Sequence, residues 1–240
     1  MCDRRPFKFI FLVIIIFTVL FAGGCGDDDD AGTNPDNPTV PVTVTDIDGN
    51  VYQTVTIGTQ VWMAENLKVT HYRNGDPIPN VTDNVAWEGL NTGAYCEYAN
   101  DANNVTTYGR LYNWFAINDS REIAPTGWHV PSVAEFQTLI DYLGGWQVAG
   151  GKMKETGTIH WVSPNTGATN ESGFTALPGS GRFPNPNPWS NLGWYARFWS
   201  TTESVSGFAL SLTLYKDSPG VANNDEYFSF DGFSVRCVKN

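Results

Sequence analysis

The sequence predicts an α+β domain in which an N-terminal hairpin and two helices precede a looped antiparallel sheet. Three observations carry that prediction. β-Branched residues alternate around Asp48-Gly49, a complete helix-capping signal opens at Ser132, and short β-rich runs broken by turn residues fill the chain beyond Gly173. All nine tryptophans lie between Trp62 and Trp199, with 24 glycines spread through the chain, a composition suited to a loop-rich fold.

The elements follow in order. In VTVTDIDGNVYQTVTIGTQVWMAENL the dipeptide Asp48-Gly49 is a two-residue hairpin signal flanked by strand formers. Asp46, Asp48 and Asn50 also resemble the start of a calcium loop. Val51 stands where such a loop needs glycine and Ile57 where it needs glutamate, so the hairpin is the better reading. In TYGRLYNWFAIND, Leu111, Trp114, Phe115 and Asn118 fall on one helical face. The strongest helix signal begins at Ser132, preceded by Pro131 and completed by Glu135 as a capping box. Val133, Phe136, Leu139, Ile140 and Leu143 then repeat at helical spacing until Gly144-Gly145 stops them. Strands are expected at Phe174–Leu177, Phe198–Thr201, Phe208–Leu214 and Phe233–Val238.

The N-terminus carries an address. Arg4, Arg5 and Lys8 precede an apolar run from Phe9 to Phe21, and Ala22-Gly23-Gly24 leads into Cys25, which marks residues 1–24 as a secretory signal peptide. The run is short for a membrane span, which needs roughly 20 apolar residues. The small residues before Cys25 resemble the lipobox of bacterial lipoproteins, which implies lipid attachment at Cys25. Asp27 to Asp30 resemble the acidic tag of Bacteroidota-type lipoproteins displayed on the outer face of the outer membrane. Residues 25–42 then read as an acidic and proline-rich spacer, and 43–240 as one domain.

Charge narrows the partners. Residues 1–25 hold three of 14 basic and one of 25 acidic residues, which leaves 11 against 24 and a net charge of −13 for the rest. Nucleic acid, bound by neutralising phosphates, is therefore not an expected partner. Cys96 and Cys237 remain after the lipid site, and in an oxidising compartment such a pair reads as a possible disulfide.

The segments DIDGNVYQTVTIGTQVWMAENL, GAYCEYANDANNVTTYGRLYNWFAIND, IAPTGWHVPSVAEFQTLIDYLGG, ESGFTALPG, FWSTTES and GFSVRCVKN resemble the Fibrobacter succinogenes major paralogous domain, over nearly all of Thr45 to Asn240. That resemblance implies a C-type-lectin-like fold on a bacterial surface lipoprotein. Some relatives carry a cysteine where this chain has Ala124.

No catalytic set emerges. His71, His129 and His160 lack metal-ligand spacing, and His129 beside Trp128 and Pro131 reads as a structural histidine at a helix entrance. Gly179-Ser180-Gly181 lacks the strand-to-helix context of a nucleophile elbow. Glu203 with Asp225 and Glu226 is the one candidate carboxylate set for glycoside hydrolysis. The ending GFSVRCVKN is similar to that of sulfatase-modifying enzymes, which use two close cysteines, and only Cys237 is near. No cofactor or metal is expected. Asn223-Asn224-Asp225 is the polar cluster in which a weak calcium site is conceivable, without the Glu-Pro-Asn type motif of calcium-dependent lectins.

The segment from Gly179 to Trp199, GSGRFPNPNPWSNLGWYARFW, sets Phe183, Trp189, Trp194, Tyr195 and Phe198 among three prolines and three asparagines. Such rings stack on sugar faces or protein partners while amides supply donors and acceptors. Trp189, Asn191, Trp194, Tyr195 and Arg197 are the expected ligand-binding residues. The function expected is a non-catalytic surface module that binds extracellular glycan or a surface protein. A sulfatase-modifying-like or glycan-processing enzyme, and a structural adhesin subunit, are the alternatives.

Overall fold

A computed structural model describes residues 42–240. The signal peptide, Cys25, the aspartate tag and all but the last residue of the spacer lie outside the described residues. Two short strands, β1 (Thr43–Thr45) and β2 (Val51–Ile57), form the first hairpin, and β3 (Gln60–Met63) returns along β2. The connection between β1 and β2 is longer than the two-residue turn expected at Asp48-Gly49. Asp46 is the reason: its carboxylate accepts from the Asp48 and Asn50 amides at 3.0 and 2.9 Å and from the Tyr52 hydroxyl at 2.6 Å. An Asx-type cap thus closes Asp46 to Asn50 as a loop and consumes the oxygens a calcium ion would need. The tight hairpin lies one step later, at Gly58-Thr59, where Gly58 adopts φ +61° and Ile57 faces Gln60.

Four short helices and three strand pieces follow: α1 (Asn84–Glu88), β4 (Tyr95–Cys96), α2 (Val105–Tyr108), β5 (Leu111–Tyr112), α3 (Trp114–Ile117), β6 (Trp128–His129) and α4 (Val133–Tyr142). The helix expected across 111–118 is confined to α3. Leu111 pairs with Cys96 in a β4–β5 ladder, and Asn113 caps α3 by accepting from Ala116 N at 3.0 Å. Helix α4 starts and stops as its sequence predicts. Ser132 and Glu135 form the reciprocal capping box, and Phe136, Leu139 and Ile140 are buried. His129 braces this cap: Nε2 meets Glu135 at 2.6 Å and Nδ1 meets Asn240 Oδ1 at 2.7 Å.

After α5 (Ala149–Met153) a long irregular stretch leads to three antiparallel strands, β7 (Tyr195–Val205), β8 (Phe208–Tyr215) and β9 (Val221–Phe228), and the chain ends in β10 (Val238–Lys239). β10 inserts between β3 and β6, so the C-terminus completes a five-stranded sheet begun by the N-terminal strands. One core lies between α4, that sheet and β7–β8, with Trp62 stacked on Phe136 at 5.5 Å. A second gathers Tyr52, Tyr112, Trp114, Trp199 and Phe233, and a third is Trp87, Ala94, Cys96 and Leu111. Burying each large apolar side chain contributes about 1.5–3 kcal/mol.

Two strand expectations fail. Phe233–Val238 is not one strand: Phe233 bridges Tyr112, Ser234 bridges Phe198, and only Val238 enters β10. Phe174–Leu177 is no strand, because Thr175 sits at φ +53°, held by the Asn170 side chain accepting from its amide at 2.8 Å. The polar cluster Asn223 to Asp225 lies inside β9, where Asn223 opposes Leu212 and Asp225 opposes Ser211 across a bulge at Asn224. Cys96 and Cys237 are also not bridged. Both are free and fully buried in different core clusters, and burial pushes both thiols up to about 12.

Arg236 joins segments far apart in sequence. Fully buried, it donates to Asn66 Oδ1 at 3.1 and 2.6 Å, to Met63 O at 3.2 Å, and to the carbonyls of Phe174 and Thr175, with Phe174 and Phe198 against its plane. Arg236→Met keeps the volume and removes every donor, so urea unfolding is expected to show a loss of about 3–5 kcal/mol. In a chain whose Cys25 is acylated, thiol titration is expected to find no reactive cysteine in the native protein and both Cys96 and Cys237 after denaturation. A disulfide would leave none in either state.

Candidate functional site

β8 reads Leu-Ser-Leu-Thr-Leu-Tyr from Leu210, and its alternation puts Leu212 and Leu214 into the α4 core and Ser211, Thr213 and Tyr215 on the opposite face. Cross-strand register brings Tyr195 opposite Tyr215, Arg197 opposite Thr213 and Asp225 opposite Ser211. The segment 179–194 packs beside this face, with Phe183 6.1 Å from Tyr227 and 5.5 Å from Phe233.

Arg197 is the centre of the face. It is 8 % exposed, donates to the Tyr227 hydroxyl at 3.2 Å and to Ser190 Oγ at 3.3 Å, and lies against four rings: Tyr195 at 4.2 Å, Phe183 at 5.2 Å, Tyr227 at 5.7 Å and Phe233 at 5.8 Å. Among the described residues no carboxylate forms an ion pair with it. Nearby Asp231 is 2 % exposed. Burial raises its carboxyl to about 7, against the opposing pull of the Phe228 amide and the Arg197 charge.

The expected ligand residues separate into two groups. Trp194, Tyr195 and Arg197 share the β7 side, with Trp194 37 % exposed, 6.4 Å from Tyr195 and 4.7 Å beneath the Lys216 ammonium. Trp189 belongs elsewhere. It is half-buried, 5.4 Å from Tyr98, and faces Arg182 at 5.1 Å from the other side of which Trp87 closes at 4.5 Å. Arg182 is wholly buried and donates to Val81 O, Thr82 O and Asn84 Oδ1 at 2.6, 2.9 and 2.8 Å, so Trp189 anchors the segment. Asn191 is exposed, and its carbonyl accepts from Ser180 Oγ and Trp194 N at 3.1 and 3.3 Å. Phe198 is core.

Lys216, Tyr215, Tyr227 and Asp231 were not expected in the site. The alternating polar residues of β8 were the available signal for Tyr215, whereas Tyr227 and Asp231 reach the face only through the register of β9. The carboxylate set does not assemble as a pair on β9: Asp225 accepts from the Tyr215 hydroxyl at 3.0 Å, and Glu226, the next residue of the strand, points to the other face and binds the Ser204 hydroxyl. Glu203 lies exposed near the end of β7. Asn223 turns toward α4, reaching Gln137 Oε1 at 3.2 Å, so the Asn-Asn-Asp cluster is split across the strand. Among the described residues no three His, Cys, Asp or Glu side chains converge as metal ligands would.

An α+β domain that hangs a long aromatic segment beside a small antiparallel sheet is the class these elements define. Residues 55–239 match the family model of the Fibrobacter succinogenes major domain, and the chain belongs to that family. No curated protein and no solved structure matches the chain.

Asp231 makes stability depend on pH. Its folded pKa, about 7, lies above the ordinary 3.8, so between those values the folded chain keeps a proton that the unfolded chain releases. Its contribution is therefore full below pH 4 and lost as pH rises through 7. Asp231→Asn is expected to raise stability at pH 8 by on the order of 2 kcal/mol and to flatten the fall between pH 4 and 7, read from urea unfolding at a series of pH values.

Proposed function

We propose that the domain is a non-catalytic binding module, C-type-lectin-like in plan, that recognises glycan or another extracellular macromolecule through the Trp194, Tyr195 and Arg197 face. The observation that carries this reading is Trp194, an exposed indole fixed at the start of a long strand. Its neighbours extend the surface. Gly193 holds φ +87° and its carbonyl accepts from Val162 N at 2.9 Å, which sets exposed Val162 beside the indole. A rigid, part-exposed aromatic with an apolar flank and a cation over one face suits a sugar ring, whose C–H face would stack on the indole's other face.

The C-type-lectin-like plan is supported by two features. The last strand, β10, lies between β3 and β6 and so closes the sheet that the first described strands begin, and the long irregular stretch leaves from the helical half and returns as a second sheet. For the address we propose a lipid anchor at Cys25 and display on the outer face of the outer membrane, supported by the small-residue site and Asp27 to Asp30. No nucleic-acid partner is proposed, given the acidic surface.

On a glycan array the full chain is expected to bind, and Trp194→Ala to lose at least tenfold in affinity with unchanged stability, since stacking on one aromatic contributes roughly 1–1.5 kcal/mol or more. Trp189→Ala is expected instead to destabilise the fold by about 2–4 kcal/mol, because it uncovers Arg182. Array silence with intact fold would reject the glycan reading. Protease treatment of intact cells checks the address: the wild-type domain is expected to be cleaved, and the Asp27–Asp30 to asparagine variant to be protected.

A further inference from the structure

We propose a second ligand site, a cleft of about 330 Å³ between residues 91–93 and the turn after α3, that takes a neutral sugar residue. Its two walls are tied together by Asn113. That fully buried side chain accepts from Ala94 N and Ala116 N, both at 3.0 Å, and donates to Thr92 O at 2.9 Å. The volume sits at the lower end of ligand clefts, roughly 300–1,000 Å³.

The lining defines the ligand chemistry. Asn91 and Asn118 offer amides and Thr92 and Ser120 offer hydroxyls, and among the described residues none of these four side chains is engaged in a hydrogen bond within the protein. Phe115, half-buried, adds a ring at the same cleft. The charged lining is already satisfied. Arg121 donates to Asp119 at 2.9 and 2.7 Å and to Asp76 at 3.2 Å, and it lies 3.9 Å above the Tyr72 ring. An anion would have to displace those aspartates, and a cation would meet the guanidinium. Four free neutral donor–acceptor groups around an aromatic ring match a polyhydroxylated, uncharged ligand.

Tyr72 shapes the wall of the cleft. It is 1 % exposed, and a side chain on Gly93 would place a carbon 2.0 Å from its hydroxyl, so only glycine lets residues 91–93 close over the phenol. Burial and then the Asp119 charge push that hydroxyl up to about 12, with the Arg121 charge opposing.

The cleft shares no lining residue with the Trp194 face and does not depend on that reading. The full chain in detergent is titrated with glucose, galactose, mannose and N-acetylglucosamine by saturation-transfer NMR, with glucuronate as the anionic control. Transfer to at least one neutral sugar is expected, with affinity reduced about tenfold or more in Asn118→Ala/Ser120→Ala, whose exposed side chains brace nothing. Absence of transfer to every neutral sugar, or tighter binding of glucuronate, overturns the proposal. Binding that ignores the double variant but disappears in Trp194→Ala overturns this cleft and leaves the aromatic face standing, and the reverse pattern does the opposite.

Discussion

A loop-rich chain leaves backbone carbonyls that no ladder takes up, and buried cations are how this domain takes them up. Arg236, Arg182 and Lys154 are all wholly buried, and among the described residues none forms an ion pair. Each instead donates to carbonyls or amide oxygens from distant segments and lies against an aromatic face. Lys154 Nζ reaches Thr166 O, Tyr215 O and Ser218 O at 2.9, 2.8 and 2.9 Å, 5.3 Å from the Trp161 ring. Desolvating a cation costs several kcal/mol, and three hydrogen bonds from a charged donor at roughly 1.5–3 kcal/mol each offset it. Burial lowers Lys154 to about 8 and Arg236 to about 9, yet both remain charged at neutral pH.

The consequence is rigidity where regular structure is scarce. Arg236 couples the C-terminal segment to residues 63–66 and 174–175, Arg182 couples the aromatic segment to 81–84, and Lys154 couples the end of α5 to Thr166 and to Tyr215 and Ser218 where β8 leaves for β9. The long stretch before β7 is therefore held at several points along its length, and the face that it shares with the sheet inherits that order. Asp231 is the counter-case. Its neighbour Arg197 is spent on rings and hydroxyls, so the carboxylate keeps its desolvation penalty and prefers its proton.

Local chemistry was legible in the sequence, and distributed chemistry was not. The cap at Ser132 needs only residues three apart, so it could be read directly. The Asp46 loop depended on Tyr52 and Asn50 closing over one carboxylate, which the Asp48-Gly49 signal concealed. Strand β9 was hidden because Asn223, Asn224 and Asp225 look like a turn until a partner strand gives each a face. Thr175 reads as a strand residue because the Asn170 side chain that closes over it stands five residues upstream and Arg236, which takes its carbonyl, lies 61 residues away. In the binding segment the aromatic density was visible, but which ring faces solvent depended on where Arg182 and Lys216 stand.

The same pairing of cation and ring is used twice along that segment, with opposite results. Arg182 is enclosed between Trp87 and Trp189, so both indoles spend a face on the guanidinium and Trp87 is left 1 % exposed. Among the described residues Lys216 lies over Trp194 and no second ring, 3.9 Å from Asp217, and Trp194 keeps 37 % of its surface in water. An enclosed cation can only stabilise the fold, because a ligand would have to unpack an indole to reach it. A cation over one face of a part-exposed ring leaves the rest of that indole in water, where a ligand can approach it without unpacking the fold. The distinction follows from how many rings the cation has, not from the aromatic residue type. It assigns anchoring to Trp189 and recognition to Trp194, although the two stand only a few residues apart in one proline-rich segment.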